Sequence, residues 1–193
     1  PIKTLQEATK RIQPNKSNEL ILEPSLDYAI NETIAFPSNS FVLIKSRSKE
    51  KNAKIFQNME QPKAGDIHLT DFSRIRFENI DFQGGASDTA RTQASSLFKV
   101  DGQNFITFSN CNFYLPRSTS IFQSYPNAGA LLNVIFNKGS LQGLDNSFGR
   151  IASSNSSNKE GAATVILSKI DFRISKDMTP LEFPKPDWRQ LNF

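Results

Sequence analysis

Four stretches in the second half of the chain repeat one pattern in register. Ile75-Arg76-Phe77-Glu78-Asn79-Ile80-Asp81-Phe82 aligns with Ile106-Thr107-Phe108-Ser109-Asn110-Cys111-Asn112-Phe113. Val134-Ile135-Phe136-Asn137-Lys138-Gly139-Ser140-Leu141 and Val165-Ile166-Leu167-Ser168-Lys169-Ile170-Asp171-Phe172 complete the set. The copies lie 31, 28 and 31 residues apart. Within each, apolar residues alternate with polar ones on either side of a two-residue bend, a period of two that belongs to strands and excludes helical repeats. Ahead of three copies stand Leu97-Phe98-Lys99-Val100, Ile121-Phe122-Gln123 and Phe148-Gly149-Arg150-Ile151. Each period then holds about three short strands joined by turns such as Asp101-Gly102. A strand-only repeat of this length is the signature of a parallel β-solenoid. A β-sandwich needs no such register.

The aromatic composition agrees, with 16 Phe against 3 Tyr and 1 Trp. Phe has no polar handle and belongs in a dry core. Stacking the copies gives four inward columns: Ile75/Ile106/Val134/Val165, Phe77/Phe108/Phe136/Leu167, Ile80/Cys111/Gly139/Ile170 and Phe82/Phe113/Leu141/Phe172. The chain's one cysteine, Cys111, falls in the third column and is expected to behave as a small buried hydrophobe. Ile135 and Ile166 fall on the outside, so that face is expected to be covered. The C-terminal segment with Phe183, Trp188 and Phe193 is the candidate cover.

Toward the N-terminus, Thr4-Leu5-Gln6-Glu7 is a capping box followed by an apolar stripe of Leu5, Ala8 and Ile12. Strands are expected at 19–22, 33–36, 41–44, 54–56 and 67–69. The 193 residues suit a single domain. No run reaches the ~18 apolar residues of a membrane span. One Cys and one His leave no framework for disulfides or zinc. Net charge is +4, and the densest basic run, 45–51, contains Glu50 and no aromatic residue. It reads as a solvated loop, and nucleic acid is not an expected partner.

Thr4-Leu5-Gln6-Glu7-Ala8, leading into a strand, a Pro-containing turn and further strands, resembles the opening of the pectin-lyase-like right-handed parallel β-helix superfamily. The copies at 77–82 and 106–113 resemble its coils. The likeness is strongest to pectate-lyase-like domains of uncharacterised Bacteroidetes surface proteins, and it covers roughly residues 1–175. It implies an extracytoplasmic protein (secreted, periplasmic or surface-attached) that binds or acts on acidic polysaccharide. The superfamily's catalytic signatures do not carry over: His68 lacks the glycine neighbours of a Gly-His-Gly motif, and no lyase base or charge neutraliser is assignable by position. The enzymes of the superfamily also have more coils. A binding or accessory module is therefore expected, with other domains of a larger chain among its candidate partners.

The outward position between the last two inward residues reads Asp81, Asn112, Ser140, Asp171. Such a ladder offers ligands for calcium or hydrogen bonds to sugar hydroxyls. Asp81 and Asp171 are three levels apart, roughly 14 Å, too far to share one ion, and no resident metal is expected. Arg76, beside Asp81 and Asn112, could grip a uronate carboxylate bidentately. Segments 84–92 and 153–161 are long insertions of the kind that carry binding residues in solenoids. Arg91, Lys99 and Arg117 form a candidate cationic patch; Tyr114 and Tyr125 are candidate stacking platforms for sugar rings. His68 is expected to point outward without a special role.

The reading is an all-β chain: a right-handed parallel β-helix over 1–175, capped by a short helix within 1–14, with residues 176–193 as an irregular tail packing on it. The expected function is non-catalytic binding of polysaccharide. A polysaccharide lyase acting by β-elimination and an adhesive, protein-binding solenoid are the alternatives.

Overall fold

The structure is a computed structural model and describes residues 3–58, 65–85, 95–115, 119–124, 130–142, 149–150 and 162–173. The segments 86–92 and 153–161, the C-terminal segment, and Arg91, Arg117 and Tyr125 lie outside these residues.

Helix α1 (Leu5–Thr9) opens the fold, with Thr4 Oγ1 accepting from the Glu7 N–H at 3.2 Å. The Glu7 carboxylate accepts from the Lys3 N–H at 3.4 Å, one residue upstream of the reciprocal capping-box bond. Leu5, Ala8 and Ile12 are buried as the stripe predicts. Their face lies on β2 (Asp27–Ile30) and β3 (Ile34–Phe36), closing the end of the first coil.

The strands stack into three parallel ladders. The first runs through β1 (Ser17–Leu22), β4 (Phe41–Ser46), β7 (Ser73–Glu78) and the leading halves of β10 (Gly102–Tyr114), β12 (Ala130–Gln142) and β14 (Ala162–Arg173). The second runs through β2, β5 (Ala53–Gln57), β8 (Ile80–Gln83) and the trailing halves of β10, β12 and β14. The third holds β3, β6 (Ile67–Leu69), β9 (Ser95–Val100), β11 (Thr119–Ser124) and β13 (Gly149–Arg150). This is an all-β parallel solenoid. Ile75 pairs with Ile106, Ile106 with Val134, and Val134 with Val165, the register that the repeat predicts.

The repeat also extends further back than residue 75. Leu20 pairs with Ile44, and Ile44 with Phe77, so the column that carries the Phe stack begins in β1.

One backbone device turns the chain between the first and second ladders. Asn79, Asn110, Lys138 and Lys169 hold φ of 56°, 53°, 64° and 57° at equivalent places. Left-handed geometry at a single residue bends a strand without interrupting the stack, and Asn accepts it more readily than other L-residues. Asn110 Nδ2 donates to Asn79 Oδ1 at 2.7 Å, linking two successive corners.

Phe rings fill the interior in two crossed piles. Phe77, Phe108 and Phe136 stack face to face at 5.3 and 4.8 Å between centroids. Phe82 and Phe113 stack at 4.8 Å and meet that pile edge-on, Phe82 against Phe77 at 5.1 Å and Phe113 against Phe108 at 5.1 Å. Stacked and edge-to-face contacts both suit the ring quadrupole. Phe98 and Phe122, from the third ladder, close the remaining side.

Candidate functional site

Parallel ladders leave three outer faces. On the second, Asp27, Lys54, Asp81, Asn112, Ser140 and Asp171 stand in one register column. Asp81 Oδ1 accepts from Asn52 Nδ2 at 2.7 Å and from Asn112 Nδ2 at 2.8 Å. Asn112 Oδ1 accepts from the Ser140 hydroxyl at 2.9 Å, and Gln142 Nε2 donates to Ser140 Oγ at 3.2 Å. These polar groups bind one another along the solenoid axis and so tie neighbouring coils together. Tyr114, two residues after Asn112, is 41% exposed and in register with Gln83 and Gln142. Among the described residues there is no group of three His, Cys, Asp or Glu placed to hold a metal ion.

Arg76 does not join Asp81 and Asn112. It lies across the Asn79 corner on the first face, where its Nη2 sits 2.5 Å from Glu78 Oε1. The ion pair follows from strand alternation, which puts residues i and i+2 on one side.

The first face carries a different arrangement. Phe41 pairs with Arg74, and Arg74 with Phe105. The Arg74 guanidinium lies 5.4 Å from the Phe41 ring centroid and 5.3 Å from that of Phe105. The two rings are 39% and 37% exposed. Lys45 is paired with Glu19 at 2.6 Å and Arg76 with Glu78, whereas Arg74 has no carboxylate partner among the described residues. Arg74 is thus a cation held in place by π faces with its charge uncompensated. Toward the later coils this face becomes aliphatic, with Leu131, Ile135 and Ile166 exposed at 46%, 40% and 49%.

On the third face His68 pairs in register with Lys99. Lys99 Nζ lies 2.6 Å from Asp66 Oδ2, and His68 Nε2 lies 3.6 Å from Asp101 Oδ2. His68 points outward as expected, but into this charged group rather than into open solvent. Asp66 itself is buried.

No protein-family model, curated protein or solved structure matches the chain.

Cys111 contributes packing. Its thiol donates weakly toward the Phe77 carbonyl at 3.6 Å, and burial pushes its pKa from 9.0 to about 12. Iodoacetamide at pH about 8 should leave it unlabelled in the folded protein and modify it fully in denaturant, because only the thiolate reacts. The linkage sign follows. Above pH 9.0 the unfolded chain loses a proton that the folded chain keeps until about 12, so stability falls over that window. A Cys111→Ala variant should lack this decline in pH-dependent urea titrations; an unchanged alkaline slope would contradict it.

Arg74 and Asp66 were not singled out by sequence. Arg74 acquires its setting from rings 33 and 31 residues away, through a β4 register that the repeat from residue 75 does not reach. Asp66 is an ordinary residue before a three-residue strand, and nothing in its neighbours announces burial.

Proposed function

We propose that this chain binds acidic polysaccharide along its first outer face, as a non-catalytic extracytoplasmic module of pectin-lyase-like type. One observation carries the reading: a guanidinium without a carboxylate partner among the described residues, fixed between two exposed aromatic rings. Exposed rings offer apolar platforms for the C–H faces of sugars, and a guanidinium fork matches a carboxylate bidentately. Stacking restricts the Arg side chain in advance, so less conformational entropy is lost when an anion docks. Phe41 and Phe105 are two levels apart, about 9–10 Å along the solenoid axis, which favours a polymer lying across the strands. The mode needs no calcium, since Arg74 itself meets the anion.

Calorimetry with polygalacturonate oligomers tests this. Arg74→Ala should weaken binding by about tenfold or more, the worth of one charge-assisted hydrogen-bond pair. Arg74→Lys should recover little, because an ammonium keeps the charge and loses the fork. Affinity should fall with added salt. Growth of unsaturated-uronate absorbance would replace the binding reading with the lyase one. Absence of binding to any acidic glycan would overturn it in favour of protein contact through Leu131, Ile135 and Ile166, whose exposure supports that second reading.

A further inference from the structure

Apolar surface remains at the end of the solenoid where the described coils stop. On the last two coils Leu131, Ile135 and Ile166 stand outward at 46%, 40% and 49% exposure. Ile135 pairs with Ile166, and Leu131 precedes Ile135 on the same side of β12, so the three form one aliphatic strip. Strand β14 is paired on one side only among the described residues. Its inward Val165 and Leu167 are partly buried, whereas Val134 and Phe136 one coil earlier are each 1% exposed. An outward aliphatic strip beside an unfinished edge is a surface that a soluble chain normally covers.

Residues 174–193 follow directly from β14 and lie outside the described residues. Their sequence supplies Leu181, Phe183, Trp188, Leu191 and Phe193. It also holds Pro180, Pro184 and Pro186, which lack N–H groups and fix φ, so the stretch is unsuited to a further rung of the ladder or to a helix. Its apolar side chains then need an existing surface. The strip is within reach: Ile166 is at most about 24 Å from Arg173 along β14, and the segment spans up to about 65 Å when extended. Tethering also selects the occupant. A stable pairing of two copies takes about 20–30 residues a side, far more than this strip offers. A tethered segment meets the strip at an effective concentration on the order of mM, so a few contacts suffice. We infer that residues 174–193 fold back over the β14 edge and seat Phe183 and Trp188 on Leu131, Ile135 and Ile166. The aliphatic end of the first face then has a built-in occupant, which an outside protein would have to displace. The inference does not depend on glycan binding at Arg74.

Trp188 is the chain's one tryptophan, so its fluorescence reports the contact directly. In the full chain its emission should be blue-shifted from that of the urea-unfolded protein and protected from acrylamide. Ile135→Lys and Ile166→Lys change exposed positions, so the fold should survive while the emission shifts red and acrylamide quenching rises several-fold. Ile21→Lys, at an outward position 44% exposed on β1 at the other end of the face, is the control and should leave the emission unchanged. The wild-type emission should also hold over about a hundredfold dilution, because a tethered contact is independent of concentration. Should the lysine variants unfold, a second measurement still decides. Bimane attached to Ile166→Cys, with buried Cys111 left unlabelled, must be quenched by the neighbouring indole, and adding Trp188→Phe must release that quenching. Solvent-like emission in the wild type, an equal red shift in Ile21→Lys, or unquenched bimane each overturns the inference. Emission that shifts red on dilution overturns it in favour of a second copy on the strip.

Discussion

Phe108→Ala should destabilise the chain by about 3–5 kcal/mol, the range for emptying a buried aromatic site that cannot collapse. Phe108 is 1% exposed and lies at the junction of both ring piles. Phe77 and Phe136 stack on its two faces at 5.3 and 4.8 Å. Phe113 lies at 5.1 Å, Phe98 at 5.6 Å, Phe82 at 5.7 Å and Phe122 at 6.2 Å. Each of these rings belongs to a strand held at a fixed spacing of about 4.8 Å by its ladder, so none can slide in to fill the space. Ring–ring preferences add to the loss beyond transferred area. Phe105→Ala is the internal control. It lies on the same strand but on the outer face and 37% exposed, so its cost should stay near or below about 1 kcal/mol. Urea denaturation of the two variants measures the contrast. A Phe108→Ala midpoint indistinguishable from that of Phe105→Ala would mean the two piles do not support the coils.

The same alternation that separates Phe105 from Phe108 made the second half of the chain legible before any coordinates. Between residues 75 and 172 the copies write their inward positions mostly as Ile, Val, Leu or Phe, with Cys111 and Gly139 the departures in the third column, and offsets of 31, 28 and 31 survive into the strand register. The first coils obey the same geometry with a less regular text. Ser17 pairs with Phe41 at an offset of 24, and Phe41 with Arg74 at 33. Insertions between ladders absorb the difference, since a solenoid fixes strand positions and leaves connection lengths free. Strand β2, Asp27-Tyr28-Ala29-Ile30, is not among the strands that the sequence predicts, and its buried aromatic is a Tyr. Its hydroxyl accepts from the Glu23 N–H at 2.8 Å, the polar contact that lets Tyr28 sit where a Phe would be expected.

For the outer faces, register predicts columns well and partners poorly. Asp81, Asn112, Ser140 and Asp171 do line up, but their bonding to one another depends on side-chain rotamers and on Asn52, a residue outside the repeat. In the sequence Arg76 reads as a gripping residue because its outward column neighbours the polar one. The left-handed corner at Asn79 turns that adjacency into a change of face, and Glu78 takes the charge. On this face the cation without a carboxylate partner among the described residues is instead Arg74, two residues earlier.

Gly139→Ala should cost at least about 3 kcal/mol, because strain and collision act on the same atoms. Gly139 has φ of +148°, a region essentially closed to L side chains. An added Cβ would stand 1.9 Å from the Cys111 carbonyl oxygen, which is backbone within the ladder between β10 and β12. Relief would require moving β10 itself, and with it the Phe108–Phe136 stack three residues away. Gly102→Ala separates the two causes. Its φ is +63°, and the added Cβ would meet the Asp71 carboxylate, which can swing aside, and stand 2.7 Å from Asp71 Cβ, which yields only by a small shift of the Asp71 turn. The swing breaks the bond from the Gln103 N–H to Asp71 Oδ1 at 2.7 Å, so this variant should lose about 1–3 kcal/mol. Urea midpoints should therefore fall in the order wild type, Gly102→Ala, Gly139→Ala. Cys111 supplies an independent readout of the second variant: displacing its carbonyl should open the thiol to iodoacetamide under conditions where the wild type stays protected. A Gly139→Ala protein with a wild-type midpoint and a protected thiol would show that β12 can pass this corner in a conformation open to alanine.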